Sequence, residues 1–279
     1  MTVLQAIVLG ITQGLTEFAP VSSSGHLILV PWLFGWSILN DPNLNKTFDV
    51  ALHMGTFFGA VAYFWRDIAK YLAAWGRSIA RRKVETVDER LAWFLVIGTA
   101  PAAVVGALFE SQIEEKLGQP WLIATMLAVF GVALYLVDRV ASAAKGMEGL
   151  RLRDSLIIGS AQAVALQPGV SRAGVTMTAG RWLGMNHESA ARFSFLLAIP
   201  IIFGAGVFKV PDVLRDGLHT YAAPFFWGFV SSAASGFLVI WGLLGYLRRR
   251  DFTVFVIYRL AIAALLFVLI ATGVRPPTV

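Results

Sequence analysis

The sequence of 279 residues contains about six apolar runs of close to 20 residues, and no other feature limits its fold so strongly. A run of about 20 apolar residues spans the roughly 30 Å hydrocarbon core of a bilayer, where a helix satisfies its own backbone hydrogen bonds. Only 14% of the residues are charged, against about 25% in soluble domains. The sequence therefore predicts an all-α, polytopic membrane protein. The runs are 47–65, 91–109, 120–138, 189–210, 221–247 and 253–273.

Two further apolar regions, 3–35 and 152–185, are interrupted midway by polar residues, proline and glycine. The interruptions are "EFAPVSSSGH" and "LQPGVSRAGVT", and each half is too short to span a bilayer. Irregular backbone at membrane depth is tolerated where protein or water covers it. We therefore predict two re-entrant helical hairpins. The alternative is an interfacial loop between two surface helices.

The two interrupted regions also resemble each other. A shift of 149 residues aligns several polar and glycine positions, and a shift of 130 aligns two later glycines. This ordered self-similarity predicts two structural repeats, about 1–138 and 150–273, within a single integral membrane domain covering 1–279. Chance matching of glycines is the alternative. The aligned pairs are Gly10 and Gly159, Gln13 and Gln162, Val21 and Val170, Ser22 and Ser171, Gly25 and Gly174, Gly55 and Gly204, Gly98 and Gly228, and Gly106 and Gly236.

Basic residues concentrate in alternate loops, 66–90, 139–153 and 248–250. The positive-inside rule places such loops in the cytoplasm. The first hairpin then enters the membrane from outside and the second from the cytoplasm, which predicts inverted repeats, as in many transporters. The net charge of +6 fits this topology and attraction to anionic membrane lipids. There is no aromatic-basic module, so no nucleic-acid partner is predicted.

The two interruptions carry ionisable groups, which at membrane depth are functional candidates. Glu17 and His26 flank the first, and Arg172 lies in the second. A serine after a proline-containing turn is a favourable helix N-cap, so Ser22 or Ser23 and, in the second hairpin, Ser171 should begin half-helices. Helix N-termini and a guanidinium suit phosphate oxygens. We predict a phosphate pocket between the hairpins. Its predicted phosphate-binding residues are Ser22, Ser24, Gly25, Ser171, Arg172, Gly174 and Thr176.

The first interruption could also supply the reactive groups. Ser23 and His26 are three residues apart and share a helix face, which suits a serine nucleophile with His26 as its base or proton shuttle. Glu17 could hold a divalent cation, act as a base or orient His26. The alternatives are that the serines only cap a helix and that Arg172 is a structural ion-pair partner of Glu17.

Three further residues or pairs complete the sequence predictions. Gln13 lies one helical turn before Glu17 and offers an amide oxygen to the same cation. Asp49 and His53, four residues apart, are predicted to support the site from behind. Glu188 and Arg192 have the same spacing and are predicted to form a structural ion pair.

The motifs "QGLTEFAPVSSSGH" and "PGVSRAGVT" resemble the two signatures of the bacitracin-resistance family of undecaprenyl-diphosphate phosphatases. The stretches "TFDVALHMGT" and "AARFSFLLAIP" extend the resemblance over most of the chain. The family's first motif, Glu or Gln one turn before Glu, falls on Gln13 and Glu17. Its serine cluster falls on Ser22 to Ser24, followed by His26. Its second motif falls on Pro168, Gly169, Ser171, Arg172 and Thr176. Gln13 stands where many members have Glu, and Ala173 where many have Ser.

The resemblance implies an enzyme that converts undecaprenyl diphosphate to undecaprenyl phosphate, the lipid carrier of peptidoglycan synthesis. It implies a multi-pass protein of the bacterial inner membrane, with an active site open to the periplasm. It also implies a divalent cation, Mg²⁺ or Ca²⁺, with Glu17 and Gln13 as its ligands. A homodimer is left open. The alternative function is a transporter or flippase for a phosphorylated prenyl lipid, using the same pocket.

Overall fold

A computed structural model describes residues 1–36, 42–212 and 218–278. Within this part the chain is helical and contains no strand, which confirms the all-α prediction. A short 3₁₀ turn, Met147–Gly149, separates the fifth and sixth helices. The helices are α1 (Val3–Phe18), α2 (Ser23–Phe34), α3 (Pro42–Arg81), α4 (Val87–Leu117), α5 (Pro120–Val140), α6 (Leu152–Val164), α7 (Arg172–Trp182), α8 (His187–Asp212), α9 (Leu218–Leu247) and α10 (Thr253–Ala271).

Five of these helices are long and apolar enough to cross a membrane, which confirms a multi-pass membrane protein. They correspond to five of the six predicted runs. The sixth run, 47–65, lies inside α3, a 40-residue helix that departs from helical geometry at Phe64. Thr47, Asp49 and His53, in the first half of that run, lower its mean hydropathy. The five segments are Val87–Leu108, Pro120–Val140, His187–Val207, Tyr221–Leu247 and Thr253–Ala271.

The two interrupted regions each fold into a pair of short, contacting helices, α1 with α2 and α6 with α7. The turn after α1, from Ala19 to Ser22, is buried, as expected for a re-entrant hairpin and not for an interfacial loop. Ser22 and Ser171 are the N-caps of α2 and α7, as the sequence predicted. Their hydroxyls accept hydrogen bonds from the N–H groups of Gly25 at 3.3 Å and Gly174 at 3.0 Å.

Both caps have a left-handed backbone with φ of 76°. This conformation is unfavourable for a residue with a Cβ and persists where the surroundings hold it. The same strained geometry therefore occurs at the tip of each hairpin.

Glycines let the hairpins pack closely against their neighbours. α1 packs along α9 and α6 packs along α4. A Cβ at Gly10 would overlap the carbonyl oxygen of Gly228, and a Cβ at Gly159 would overlap that of Gly98. These are the glycines that the two sequence shifts aligned. The repeat boundaries and the inverted orientation stay predictions.

The most buried of the spanning segments belongs to α8, and one aromatic contact fixes α1 against it. The rings of Phe18 and Phe195 meet edge to face with centroids 5.3 Å apart, a favourable geometry. Because Glu17 precedes Phe18 and Ser194 precedes Phe195, this contact sets the end of α1 beside the first half of α8.

The predicted ion pair between Glu188 and Arg192 is wrong. Arg192 instead binds both carboxylate oxygens of Asp67 on α3, at 2.9 and 2.8 Å, and its guanidinium lies over the Phe64 ring. Glu188 pairs with Arg248 at 2.9 Å. The partners on neighbouring helices compete successfully with the partner one turn away.

We expect Gly159→Ala to lower the thermal unfolding midpoint, because its Cβ would force α6 away from α4. Overpacking of this kind costs about 1–3 kcal/mol. The measurement is thermal unfolding of the full chain in detergent. Gly242→Ala on α9 is the control, because nothing lies within 4 Å of a Cβ there. Equal midpoints for both variants would contradict the close packing.

Candidate functional site

A cavity of about 440 Å³ opens between the tips of the two hairpins. The beginning of α3 and the second half of α8 form its other walls. Glu17, Ser23 and Ser24 line it from the first hairpin, and Ser171 and Arg172 from the second. The structure thus brings together five of the predicted site residues from two distant parts of the chain.

Glu17 is the centre of this site. Its side chain is 5% exposed, and both carboxylate oxygens are engaged. Oε1 accepts a hydrogen bond from Arg172 Nη2 at 2.9 Å. Oε2 accepts one from Ser23 Oγ at 2.6 Å and one from Gln13 Nε2 at 3.0 Å. One carboxylate therefore connects the candidate nucleophile, the predicted cation ligand and the guanidinium.

Arg172 is held in place by main-chain oxygens as well as by Glu17. Nη1 donates to Ser194 O at 3.3 Å, and Nη2 donates to Glu17 O at 3.4 Å. The Thr176 hydroxyl donates a hydrogen bond to Arg172 O at 2.8 Å and lies 2.6 Å from Ser194 Oγ. The predicted ion-pair alternative is thus present, yet the guanidinium still faces the cavity.

The predicted hydrogen bond between Ser23 and His26 is absent from the described part of the structure. His26 Nδ1 lies 2.7 Å from Ser22 O, and Nε2 lies 2.8 Å from the hydroxyl of Tyr258 on α10. The two rings also stack, with centroids 5.7 Å apart. Sharing a helix face with Ser23 did not decide the contact, because Tyr258 offers a partner on the other side. The hydrogen-bond acceptor of the Ser23 hydroxyl is instead the Glu17 carboxylate, at 2.6 Å.

Several predicted phosphate-binding residues hold the two hairpin tips together and do not line the cavity. Ser22 Oγ accepts from Gly169 N at 2.9 Å, which joins the two hairpin tips. Ser22 and Thr176 are buried and do not line the cavity. A Cβ at Gly25 would lie 3.3 Å from Gly169 N, and one at Gly174 would lie 3.0 Å from the Arg259 guanidinium. Both glycines therefore permit close packing around the tips.

Arg259 on α10 was missed by the sequence analysis. It is completely buried and donates hydrogen bonds to carbonyl oxygens of both hairpins and of α5. The sequence signal was available, because an arginine inside an apolar span is rare and functional by default. Its acceptors are Pro20 O at 3.0 Å, Gly169 O at 2.9 Å, Val170 O at 3.1 Å, Leu127 O at 3.1 Å and Met126 O at 3.3 Å.

The predicted supporting pair, Asp49 and His53, lies on α3 at the cavity wall. His53 Nδ1 is 2.7 Å from Asp49 O, and His53 Nε2 is 3.7 Å from Glu17 Oε2. His53 therefore stands beside the central carboxylate, held there by the main chain one turn earlier.

Few oxygen donors surround Glu17 in the described part of the structure, and such a set would suit a hydrated Mg²⁺ better than Ca²⁺. Gln13 Oε1 is buried without a hydrogen-bond partner, next to the carboxylate that its own amide contacts. Among the described residues there is no group of three or more His, Cys, Asp or Glu suited to a metal ion. Mg²⁺ is commonly held by one or two carboxylates plus substrate phosphates, whereas Ca²⁺ takes six to eight oxygens.

Comparison with known proteins identifies relatives over almost the whole length. A relative from Pelotomaculum thermopropionicum, named undecaprenyl-diphosphatase, is 50% identical over 271 residues, covering 97% of this chain and 98% of that protein. Proteins of the same name from Moorella thermoacetica and Desulforudis audaxviator are 47% and 45% identical, and cover 95% and 96% of this chain and 97% and 98% of their own lengths. The family model for the bacitracin resistance protein BacA matches residues 6–265. The chain therefore belongs to the BacA family.

Proposed function

We propose that this protein is an undecaprenyl-diphosphatase that releases inorganic phosphate and leaves undecaprenyl phosphate. The observation that carries the proposal is the Ser23–Glu17–Arg172 constellation at the cavity, which combines a nucleophile, a proton acceptor and a phosphate-binding cation. Catalysis of phosphoryl transfer depends on positioning and on neutralising charge. This constellation supplies both.

In the first step Ser23 Oγ attacks the terminal phosphorus, and the bond from this phosphorus to the bridging oxygen breaks. Glu17, 2.6 Å from Ser23 Oγ, accepts the serine proton. Undecaprenyl phosphate leaves with the bridging oxygen, and Ser23 carries the phosphoryl group. Arg172 stabilises the negative charge on the transferring oxygens.

In the second step water attacks the phosphoserine and releases inorganic phosphate. Glu17 returns its proton to Ser23 Oγ, and a proton of the attacking water passes to solvent. The half-helix of α2, capped by Ser22, directs its N-terminus toward the phosphoryl group and adds a favourable dipole.

His26 acts as a positioning residue in this mechanism. Its two ring nitrogens are occupied by Ser22 O and by the Tyr258 hydroxyl, so it stabilises the strained cap just before Ser23. A route through phosphohistidine, the rival mechanism, requires Nε2 to leave Tyr258 and reach the cavity.

A divalent cation, Mg²⁺ by the donor set, completes the proposed site. Glu17 and Gln13 Oε1 would hold it together with substrate oxygens. When bound, the cation neutralises charge on the diphosphate.

We place the cavity at the periplasmic face of the bacterial inner membrane. The arginine-rich loops lie at the other end of the spanning helices, as the positive-inside rule requires of a cytoplasmic side. The prenyl chain of the bound substrate would extend from the cavity into the bilayer along the apolar part of the cavity wall. This part includes Leu27, Ile28, Ile201 and Ile202.

A transporter or flippase of the same lipid is not favoured. The names of the relatives describe a diphosphatase, and a transporter has no need of the short Ser23–Glu17 hydrogen bond. Phosphate release by purified protein in detergent, where no second compartment exists, separates the two functions.

Ser23→Ala should abolish phosphate release in detergent, with turnover at least about 1000-fold lower, because the nucleophile is lost. Glu17→Gln should reduce turnover about 100-fold or more, because the base is lost. Ser24→Ala is the matched control. It lines the same cavity without contacting Glu17, so its loss should be below about tenfold. Protein trapped after exposure to substrate labelled on the terminal phosphate should carry label on Ser23. Label on His26 instead, or equal losses in Ser23→Ala and Ser24→Ala, would contradict the mechanism.

Gln13→Glu should lower the Mg²⁺ concentration that gives half-maximal activity by about tenfold, because a carboxylate replaces a neutral amide beside Glu17. Activity is titrated with Mg²⁺ after chelation. Gln5→Glu adds the same charge remote from the cavity, and keeps its side-chain acceptor for Thr2 N. An unchanged requirement in Gln13→Glu would remove Gln13 from the cation site.

Arg259→Lys should lower both the unfolding midpoint and turnover. An ammonium cannot serve five carbonyl oxygens on three elements, and carbonyls left without donors cost about 2–4 kcal/mol together. Arg153→Lys, on an exposed residue at the beginning of α6, is the control. The role of Arg259 in joining the hairpin tips is refuted if both variants unfold and turn over alike.

A further inference from the structure

A second cavity, of about 660 Å³, lies at the other end of α8 from the catalytic cavity. It is formed by the beginning of α8, the end of α9, the 248–252 connection and the beginning of α10. His187 lines this cavity, whereas Ala205 lines the catalytic one. At 1.5 Å per residue, α8 separates these two positions by about 27 Å. The second cavity is therefore distinct from the catalytic site.

One wall of this cavity carries three consecutive arginines. Arg248 is paired with Glu188 at 2.9 Å. The guanidinium groups of Arg249 and Arg250 make no ion pair or side-chain hydrogen bond within the described residues, and both residues are exposed. Asp251, the nearby acid, accepts a hydrogen bond from Thr253 N at 3.0 Å. Two arginines are thus available to an anion.

Hydrogen bonds to Asp138 connect the elements beneath the cavity. His187 Nε2 lies 2.8 Å from Asp138 Oδ1, and Arg181 Nε donates to the same oxygen at 2.6 Å. Phe252 N lies 3.4 Å from Asp138 Oδ2. One carboxylate on α5 therefore ties together α7, α8 and the connection before α10, which anchors the backbone just after the arginines.

The opposite wall is apolar and faces outward. Val254 is 50% exposed and Ile257 is 62% exposed, and both belong to the spanning segment of α10. In a membrane these side chains contact acyl chains. The cavity thus combines a cationic wall at the membrane surface with an apolar wall that continues into the bilayer.

We propose that this cavity binds an anionic glycerophospholipid of the cytoplasmic leaflet. The headgroup phosphate contacts Arg249 and Arg250, and an acyl chain lies along Val254 and Ile257. Basic pockets between spanning helices bind anionic lipid headgroups for this reason. The proposal rests on the membrane orientation proposed above and not on the catalytic residues. Its test is therefore independent of the phosphatase activity.

The test compares full-length variants in a neutral detergent during titration with phosphatidylglycerol. The unfolding midpoint of the wild type should rise, and Arg249→Gln/Arg250→Gln should need about 30-fold more lipid for the same rise, since each arginine contributes about fivefold. Arg77→Gln/Arg90→Gln removes two exposed arginines on either side of the connection between α3 and α4 and should follow the wild type. Phosphatidylcholine and inorganic phosphate at matched concentrations should leave the midpoint unchanged.

Phosphate release from substrate in detergent serves as the check on folding, and both double variants should retain it. Three results would overturn the proposal. They are that the wild type does not respond to phosphatidylglycerol, that the two double variants respond alike, or that inorganic phosphate reproduces the rise in the unfolding midpoint. The last result would identify a simple anion site.

Discussion

The buried pair of Glu17 and Arg172 is the interaction on which the site depends, because it joins the two hairpins at their tips. Both side chains are largely removed from solvent. Removing charges from water is costly, and a buried charge that loses its partner destabilises strongly. The end of α1 and the beginning of α7 must therefore stay together, and Ser23 is held against the same carboxylate. Stability and the arrangement of the reactive groups share one contact.

The two interrupted regions share a strained serine cap but not the reactive groups, which makes the site asymmetric. At the shift of 149, the strained caps Ser22 and Ser171 correspond. So do Gly25 and Gly174, whose N–H groups donate hydrogen bonds to these caps. The chemistry does not correspond, because Ser23 aligns with Arg172 and Glu17 with Leu166. One hairpin supplies the nucleophile and the carboxylate, while the other supplies the cation. Arg259, outside both, binds carbonyls of each tip and fixes their relative position.

The fold was largely predictable from local sequence properties. Apolar run length predicted the spanning helices, and serine after a proline-containing turn predicted both N-caps. Side-chain partners between distant helices were not predictable in this way. His26 faces Tyr258 and not Ser23, and Arg192 binds Asp67 and not Glu188. In each case a helix face allowed the local contact, and the packing of another helix decided against it. Arg259 was missed although its charge within an apolar run was visible.

The three consecutive serines show how one strained turn assigns different roles to identical side chains. The left-handed backbone of Ser22 turns its hydroxyl toward Gly169 N and Gly25 N, and the hydroxyl accepts a hydrogen bond from each. That geometry directs Ser23 to Glu17 and leaves Ser24 on the cavity wall. His26 holds Ser22 O from the following helical turn. In the proposed mechanism, replacing His26 therefore acts on Ser23 through the backbone of Ser22.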